Sequence, residues 1–230
     1  MAERRLRRPA VRAGRPATLG PPGARALWAP ALAGLLVLTG VVAGGWAMGR
    51  ALAPAPAGAL AGCHTQATIG PRHFAGPPAM CIDVHHKYLA SVDTTRGRIG
   101  ILLDPSLAPR TVNNFIVLAV NGYYNGLEFF DTRSWVLQTG DPLESGHGGP
   151  GYALPPEGRP GLLTTGSVGM AKIPGGPING SQVFIMRGSW PGGGPGKTIY
   201  NRFGSVLKGY GLLSEFRNGD RILDVHVKRE

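Results

Sequence analysis

A group of metal-ligating side chain types lies between residues 62 and 87. The group contains His64, His73, Asp83, His85 and His86. Metal sites need such side chains to converge on one ion, usually through ligand spacings fitted to a helix, a strand pair or a tight turn. No helical or strand spacing brings these five together, so we predict an irregular extension with no metal and no cofactor.

A second stretch resembles a phosphate-binding loop. Residues 192–198 read GGGPGKT, and the phosphate motif is G-x-x-x-x-G-K-T. The first glycine of that motif falls at position 191, which is Pro191, and Pro195 removes a backbone N–H donor that such a loop needs. We interpret the stretch as a flexible insertion.

Cys63 and Cys81 are the two cysteines of the chain. In an oxidising compartment they form a candidate disulfide, which would close a loop in front of the main domain. Two free or unrelated thiols are the alternative.

The formal net charge of +11 is unevenly distributed. Residues 1–50 contain eight arginines against Glu3 alone, so a net charge of only +4 remains for the other 180 residues. The basic balance belongs to a tail, and the interleaved aromatic and basic residues of a single-strand binder are absent. We therefore expect no nucleic-acid partner.

Residues 26–49 contain no charged side chain over 24 positions. That length spans the roughly 30 Å hydrocarbon core of a bilayer as a helix, and Trp28 and Trp46 lie near the two interfaces. Seven arginines precede the segment and Arg50 alone follows closely, so the positive-inside rule leaves the N-terminus in the cytoplasm. We predict a single-pass cell-membrane protein with an extracytoplasmic C-terminal domain.

The processing of this segment has three interpretations. An uncleaved signal-anchor fits the long apolar run and the long basic region. Small residues between 51 and 57 offer sites to a signal peptidase. Residues 60–63, LAGC, also match a lipobox, which would make the protein a lipoprotein anchored at Cys63.

After this segment, the chain changes from an Ala/Pro/Gly spacer to alternating strands. Apolar and polar residues alternate within 88–95 and within 98–104, and a Thr-Arg-Gly turn lies between the two runs. This pattern predicts a β-hairpin. A helix is predicted from Pro109 to Gly122, since Val112, Phe115, Ile116 and Ala119 recur at helical spacing.

Six further short apolar runs separated by Gly- and Pro-rich loops predict strands, and a short second helix is expected near 210–216. The predicted segments are a basic tail at 1–25, a membrane helix at 26–49, a linker and extension at 50–87, and a domain at 88–230.

Four ordered motifs in this domain resemble those of the cyclophilin-type peptidyl-prolyl cis-trans isomerases. They are APRTVNNF at 108–115, GYYNG at 122–126 with VLQTGDP at 136–142, GGPGY at 148–152, and GMA at 169–171 with NGSQVFI at 179–185. The resemblance covers about 140 residues. It implies a mostly β fold, a closed eight-stranded cyclophilin-like barrel capped by two helices.

The resemblance also implies an enzyme that rotates X-Pro bonds and a set of site residues. The ring pocket would contain Trp135, Val136 and Phe184, which in isolation would be read as barrel core. Gln138 and Gln182 would bind the peptide backbone. The other substrate-binding candidates are Ala171 and Lys172 on the segment that bonds substrate, Trp190 at the rim, and Thr198 or Tyr200 where the family has a pocket-floor histidine.

The sequence departs from the family at its decisive arginine. Counting from Tyr124 puts Asp131 at that position, and counting back from Gln138 puts Phe130 there. Arg133 is the candidate replacement, and a solvated loop arginine is the alternative reading.

We therefore expect an isomerase of exported proteins, with low activity, or alternatively a catalytically impaired proline-peptide binding or scaffolding domain. The expected partners are proline-containing polypeptides and the membrane, and the chain is expected to be a monomer.

Overall fold

The computed structural model describes residues 58–64, 68–70, 72–160, 163–173, 175–196 and 198–230. The basic tail and the membrane segment predicted at 26–49 lie outside these residues. Within the described part, the longest helix has 12 residues, and no helix is long and apolar enough to cross a bilayer.

One antiparallel sheet of eight strands forms most of the molecule. Its strands, in chain order, are β3 (Tyr88–Thr94), β4 (Gly97–Leu103), β5 (Val136–Thr139), β6 (Ala153–Leu154), β7 (Ser167–Lys172), β8 (Ile178–Met186), β9 (Arg202–Lys208) and β10 (Ile222–Arg229). A separate pair, β1 (Thr68–Gly70) and β2 (His73–Phe74), precedes them. The spatial order is β10-β3-β4-β9-β7-β8-β5, and β6 pairs with β8.

The first hairpin forms because its residues alternate between the core and solvent. Tyr88, Ala90, Val92 and Thr94 are buried in β3, while the residues between them are partly exposed. β3 pairs with β4 without a register shift, and Gly97 takes a φ of 119° where the chain turns back. The predicted hairpin is confirmed.

The predicted helix is present as α1 (Pro109–Val120), which packs against β10, β8 and β9. Ala108 at its N-terminus provides no side-chain cap. Glu157, from a distant loop, accepts hydrogen bonds from the backbone N–H groups of Arg110 and Thr111 at 2.9 and 2.7 Å. A carboxylate at this position also interacts favourably with the helix dipole.

The prediction of a closed barrel with two helical caps holds only in part. The edge strands β5 and β10 do not pair with each other. The segment at 128–131 makes one isolated bridge towards each edge strand. Glu128 pairs with Arg221, directly before β10, and Asp131 pairs with Gln138 of β5. The sheet is therefore a curled half-barrel with one α-helix. The expected second helix is a short 3₁₀-helix, Tyr210–Ser214, whose backbone bonds run three residues back, from Leu212 to Gly209 and from Glu215 to Leu212.

The extension before the sheet is closed on itself by a disulfide and bound to the domain by hydrogen bonds. Cys63 and Cys81 form the disulfide, with their Cα atoms 5.3 Å apart, so that prediction is confirmed. Asn113 of α1 accepts from the Cys81 N–H at 2.8 Å, and Asn121 donates to the Cys63 carbonyl at 2.9 Å. A sulfur bonded in a disulfide is not available for a lipid thioether, which disfavours the lipoprotein interpretation.

We predict that replacing both Cys63 and Cys81 by Ser lowers the free energy of unfolding by about 3 kcal/mol, because the bond closes a loop of 18 residues. Urea unfolding followed by tryptophan fluorescence measures this difference. The unreduced parent is the reference, and the parent under reductant should behave like the double variant. An unchanged midpoint would show that the extension unfolds without affecting the domain.

Candidate functional site

The alternation of side chains along β5 and β8 produces two separate apolar clusters. Val183 and Ile185 of β8, with Leu137 of β5, join the main core inside the sheet. Phe184 of β8 and Val136 of β5 belong to a second cluster on the other face. Successive residues of a strand point to opposite faces, so one strand can serve both clusters.

We name this second cluster the aromatic pocket. Its members are Trp135, Val136, Leu163, Ala171, Phe184, Met186, Trp190 and Tyr200. Six of these eight, all except Leu163 and Met186, were among the predicted binding residues. Trp135, Trp190 and Tyr200 are partly buried, and the other five are buried, so the pocket has an apolar floor and an aromatic rim.

Four ring contacts connect the aromatic members. Trp190 is 4.9 Å from Trp135 and 5.2 Å from Tyr200, measured between ring centroids. Phe184 meets Tyr200 at 5.6 Å and Trp190 at 6.4 Å, both edge to face. Such contacts stabilise the rings beyond the burial of their area. The pocket is therefore formed before any ligand binds.

Thr198 and Tyr200, the two candidates for the floor of the pocket, line one cavity but differ in burial. Tyr200 lies in the aromatic pocket, whereas Thr198 is exposed and lies outside it. Burial raises the pKa of the Tyr200 phenol, so this side chain is neutral at ordinary pH. The aromatic pocket therefore contains an uncharged phenol at Tyr200.

The two glutamines form one hydrogen-bonded row beside the pocket. Gln138 donates from Nε2 to Gln182 Oε1 at 2.8 Å, and Gln182 donates to the Gly148 carbonyl at 2.8 Å. Gln182 is buried, while Gln138 is partly exposed and retains its own Oε1 as an acceptor. Lys172, at the end of β7, lines a neighbouring cavity together with both glutamines.

Phe130 and Asp131, the two residues that counting puts at the position of the implied arginine, both lie beside Gln138. The Gln138 N–H donates to the Asp131 carbonyl at 2.8 Å, and the Phe130 N–H donates to the Gln138 carbonyl at 3.1 Å. Asp131, rather than Phe130, is therefore the residue bridged to Gln138.

Arg133 lies at the edge of the aromatic pocket. Its guanidinium carbon is 5.1 Å from the Trp135 ring centroid, within the range of a cation–π contact. Its Nε donates to both carboxylate oxygens of Asp131 at 2.9 Å, and Nη2 adds a further bond. Donation of these hydrogen bonds to the Asp131 carboxylate raises the pKa of the Arg133 guanidinium, which is therefore fully charged.

Gly169 of β7 leaves the space that the Phe184 ring occupies. A Cβ atom at this position would lie 2.6 Å from Phe184 Cζ, well inside contact distance. Gly169 and Ala171 are two residues apart and therefore share the face of β7 that borders the pocket.

Three contributors to the pocket were missed by the sequence reasoning. Met186 is two residues from Phe184, so strand alternation was a sufficient signal for it. Gly169 stands two residues before Ala171 in the same way. Leu163 follows a Gly- and Pro-rich loop, and no pattern in the sequence points to it.

The arrangement suits the binding of a flat apolar ring with a polar backbone beside it. Aromatic walls enclose the ring, glutamines offer amide groups, and one cation lies at the edge. Among the described residues, no three His, Cys, Asp or Glu side chains are close enough to hold one metal ion.

Comparison with known proteins gives a family match over most of the described chain. The model of the family described as "Cyclophilin type peptidyl-prolyl cis-trans isomerase/CLD" matches residues 89–229. Peptidyl-prolyl cis-trans isomerase B of Bacillus subtilis is 37% identical over 134 residues, which are 57% of this chain and 91% of that protein. A peptidyl-prolyl cis-trans isomerase of Helicobacter pylori is 34% identical over 139 residues, covering 59% of this chain and 84% of that protein.

Solved structures give the same fold. A crystal structure of a cyclophilin type peptidyl-prolyl cis-trans isomerase from Cryptosporidium parvum superposes with a TM-score of 0.53 at 23% identity. It covers 63% of this chain and 99% of that structure.

We predict that Gly169→Ala displaces the Phe184 ring and weakens the binding of proline peptides by about tenfold, with a stability loss of about 1–3 kcal/mol from overpacking. Gly211→Ala is the control, because an added Cβ there meets nothing within 4 Å. Binding is measured by titration of a labelled proline peptide, and stability by urea unfolding. Equal binding by both variants would place the ring of the ligand elsewhere.

Proposed function

Because this chain belongs to the cyclophilin-type peptidyl-prolyl cis-trans isomerases, which are enzymes, we propose that it rotates X-Pro bonds of polypeptides outside the cytoplasm, near the membrane. The observation that carries the proposal is the aromatic pocket with a charged arginine at its edge. The proposed partners are proline-containing polypeptides and the lipid bilayer, and the chain acts as a monomer.

The reaction makes and breaks no covalent bond. Rotation about the X-Pro bond has a barrier of about 18–20 kcal/mol, because amide resonance is lost when the bond twists. In the twisted state the proline nitrogen becomes pyramidal and accepts a hydrogen bond better than the planar amide does. A site that holds the proline ring and offers a donor to this nitrogen therefore binds the transition state more tightly than the ground state.

In this proposal, the proline ring enters the aromatic pocket against Phe184 and Val136. Gln138 and Gln182 orient the peptide backbone through their amide groups. Arg133 supplies the donor for the twisted amide, and Asp131 and the Trp135 ring hold the guanidinium at the pocket edge. The carboxylate of Asp131 also occupies part of the donor capacity of the guanidinium, which supports a low turnover.

A second function is favoured by one specific observation. Neither Phe130 nor Asp131, the residues counted at the position of the implied arginine, is a cation, and Arg133 is largely exposed, with 62% of its side chain accessible. A domain that binds proline peptides without turnover would retain the pocket and need no guanidinium at the amide.

The extracytoplasmic location is supported by the sequence and by the disulfide. The uncharged segment at 26–49, preceded by seven arginines, favours an N-terminus in the cytoplasm. Cys63 and Cys81 form a disulfide. Disulfides are stable in oxidising compartments and rare in the cytoplasm. A single-pass cell-membrane protein with its catalytic domain outside accounts for both features.

We predict that the full chain accelerates exchange of X-Pro peptides and that Arg133→Ala lowers kcat/KM by about 10- to 100-fold, since a positioned donor at the transition state is lost. Exchange is measured by magnetisation-transfer NMR on several peptides. Arg98→Ala is the matched control, because Arg98 is also exposed and pairs with a nearby aspartate, Asp93, but lies on the first hairpin. The control should keep the activity of the parent.

Two results separate the proposed functions. No acceleration by the parent, with peptides still bound, would replace the isomerase proposal by the binding function. Acceleration that survives in Arg133→Ala would show that another group serves the amide.

We predict that protease added to intact spheroplasts of bacteria expressing the full chain digests the domain at 88–230. A cytoplasmic marker protein in the same cells should stay intact, and lysed cells give complete digestion. Protection of the domain until lysis would contradict the extracytoplasmic location.

A further inference from the structure

A cavity of about 450 Å³ borders the aromatic pocket. The two share Leu163 and Tyr200 as lining residues. The cavity is bounded by three regions of the chain, at 106–107, at 157–160 with residue 163, and at residues 195, 198, 200 and 202. A polypeptide held in the aromatic pocket therefore has an adjoining recess for another of its side chains.

The charged groups of this cavity are mainly cationic. Arg159 and Arg202 line it and are both exposed. Among the described residues, neither makes an ion pair with a carboxylate. Two guanidinium groups without an anion at one cavity favour an anionic ligand, and a guanidinium fork matches the geometry of a carboxylate.

The acidic lining residue, Glu157, does not neutralise these arginines. Both of its carboxylate oxygens accept hydrogen bonds from the start of α1: Oε1 from the Arg110 N–H at 2.9 Å, and Oε2 from the Thr111 N–H at 2.7 Å. The Thr111 hydroxyl donates to Oε2 as well, at 2.6 Å. Its charge is therefore compensated by the positive end of the helix dipole.

Part of the remaining wall is apolar and fits the stem of an acidic side chain, while Ser106 and Thr198 add two hydroxyl groups to the lining. Leu107, Pro160 and Pro195 line the cavity with the shared Leu163 and Tyr200. A glutamate combines two methylene groups with a terminal carboxylate, so it matches both parts of the lining. Aspartate carries the same charge on a shorter stem.

We propose that this cavity, named the arginine recess, binds a glutamate or aspartate side chain of the same polypeptide whose proline occupies the aromatic pocket. The inference rests on the proposed function and adds to it a substrate class, namely segments with an acidic residue a few positions from the proline. Arg159 and Arg202 provide the charge selectivity, and the aromatic pocket provides the proline selectivity.

The experiment uses a set of fluorescein-labelled peptides with one proline in an Ala/Ser background. A single Glu is placed at each of four positions on either side of the proline, and each Glu peptide is paired with a Gln peptide of the same shape. The affinity of the full chain for each peptide is measured by a fluorescence anisotropy titration. The rate of X-Pro exchange in the same peptides is measured by NMR. We expect at least one Glu peptide to bind about three- to fivefold more tightly than its Gln partner, as one or two exposed ion pairs provide. This preference should fall as salt is raised.

Arg202→Glu should invert the preference, and Arg159→Glu should reduce it. Lys208→Glu is the matched control, because Lys208 is an exposed cation on the same strand, β9, and does not line the cavity. The control should keep the preference of the parent. Near-ultraviolet circular dichroism verifies that each variant is folded.

Equal binding of every Glu and Gln pair would overturn the arginine recess, even if exchange is accelerated. A preference that persists in the Arg159→Glu, Arg202→Glu double variant would overturn it as well. Selective binding of a Glu peptide without accelerated exchange would support the recess and contradict the isomerase proposal. If no proline peptide binds at all, both proposals fail.

Discussion

The pairing register of β8 is the constraint on which the core and the site both depend. β8 bonds to β5 on one side and to β7 on the other, and in both pairings Val183 and Ile185 face the interior while Phe184 faces the aromatic pocket. A slip of one residue would exchange the two faces. The large apolar area buried by the main core therefore fixes the position of the pocket, although the pocket itself contributes few residues.

The arginine at the pocket comes from a loop, which changes how it is held. A side chain on a strand is oriented by the backbone of its neighbours. Arg133 instead depends on the carboxylate of Asp131 and on the face of Trp135. Arg187 also holds this loop in place. Its guanidinium donates to the Thr132 carbonyl at 2.9 Å and to the carbonyl of Leu213 in the 3₁₀-helix. The loop is thus tied to the 3₁₀-helix Tyr210–Ser214.

The sequence predicted those features whose cause is local. The hairpin β3–β4 and the helix α1 follow from alternation, helical spacing and Pro109, all of which operate within a few residues. The ring pocket was predicted only through the motifs around Gln138 and Phe184, since buried aromatic residues on strands are usually core.

Features that join distant segments were beyond the sequence. Glu157 caps α1 from about 46 residues away, and no spacing rule connects the two. The choice between Tyr200 and Thr198 depends on where β9 begins in space. The direction of Arg133 depends on a salt bridge to the partly buried Asp131, and the gap between β5 and β10 is spanned only by single bridges at Glu128 and Asp131. None of these contacts produces a periodic pattern in the sequence.

The disulfide described in the fold has a mechanical consequence. Any tension applied to the chain before Cys63 passes through the covalent bond to Cys81 and bypasses the intervening residues, including the weak two-stranded pair β1–β2. From Cys81 the load follows the backbone into β3, and the hydrogen bond of 2.8 Å to Asn113 links Cys81 to α1 as well. The helix, packed on β8, β9 and β10, then distributes the load over the sheet. The disulfide thus stiffens the extension. A pull on the N-terminal part of the chain reaches the domain, while the pair β1–β2 carries none of the load.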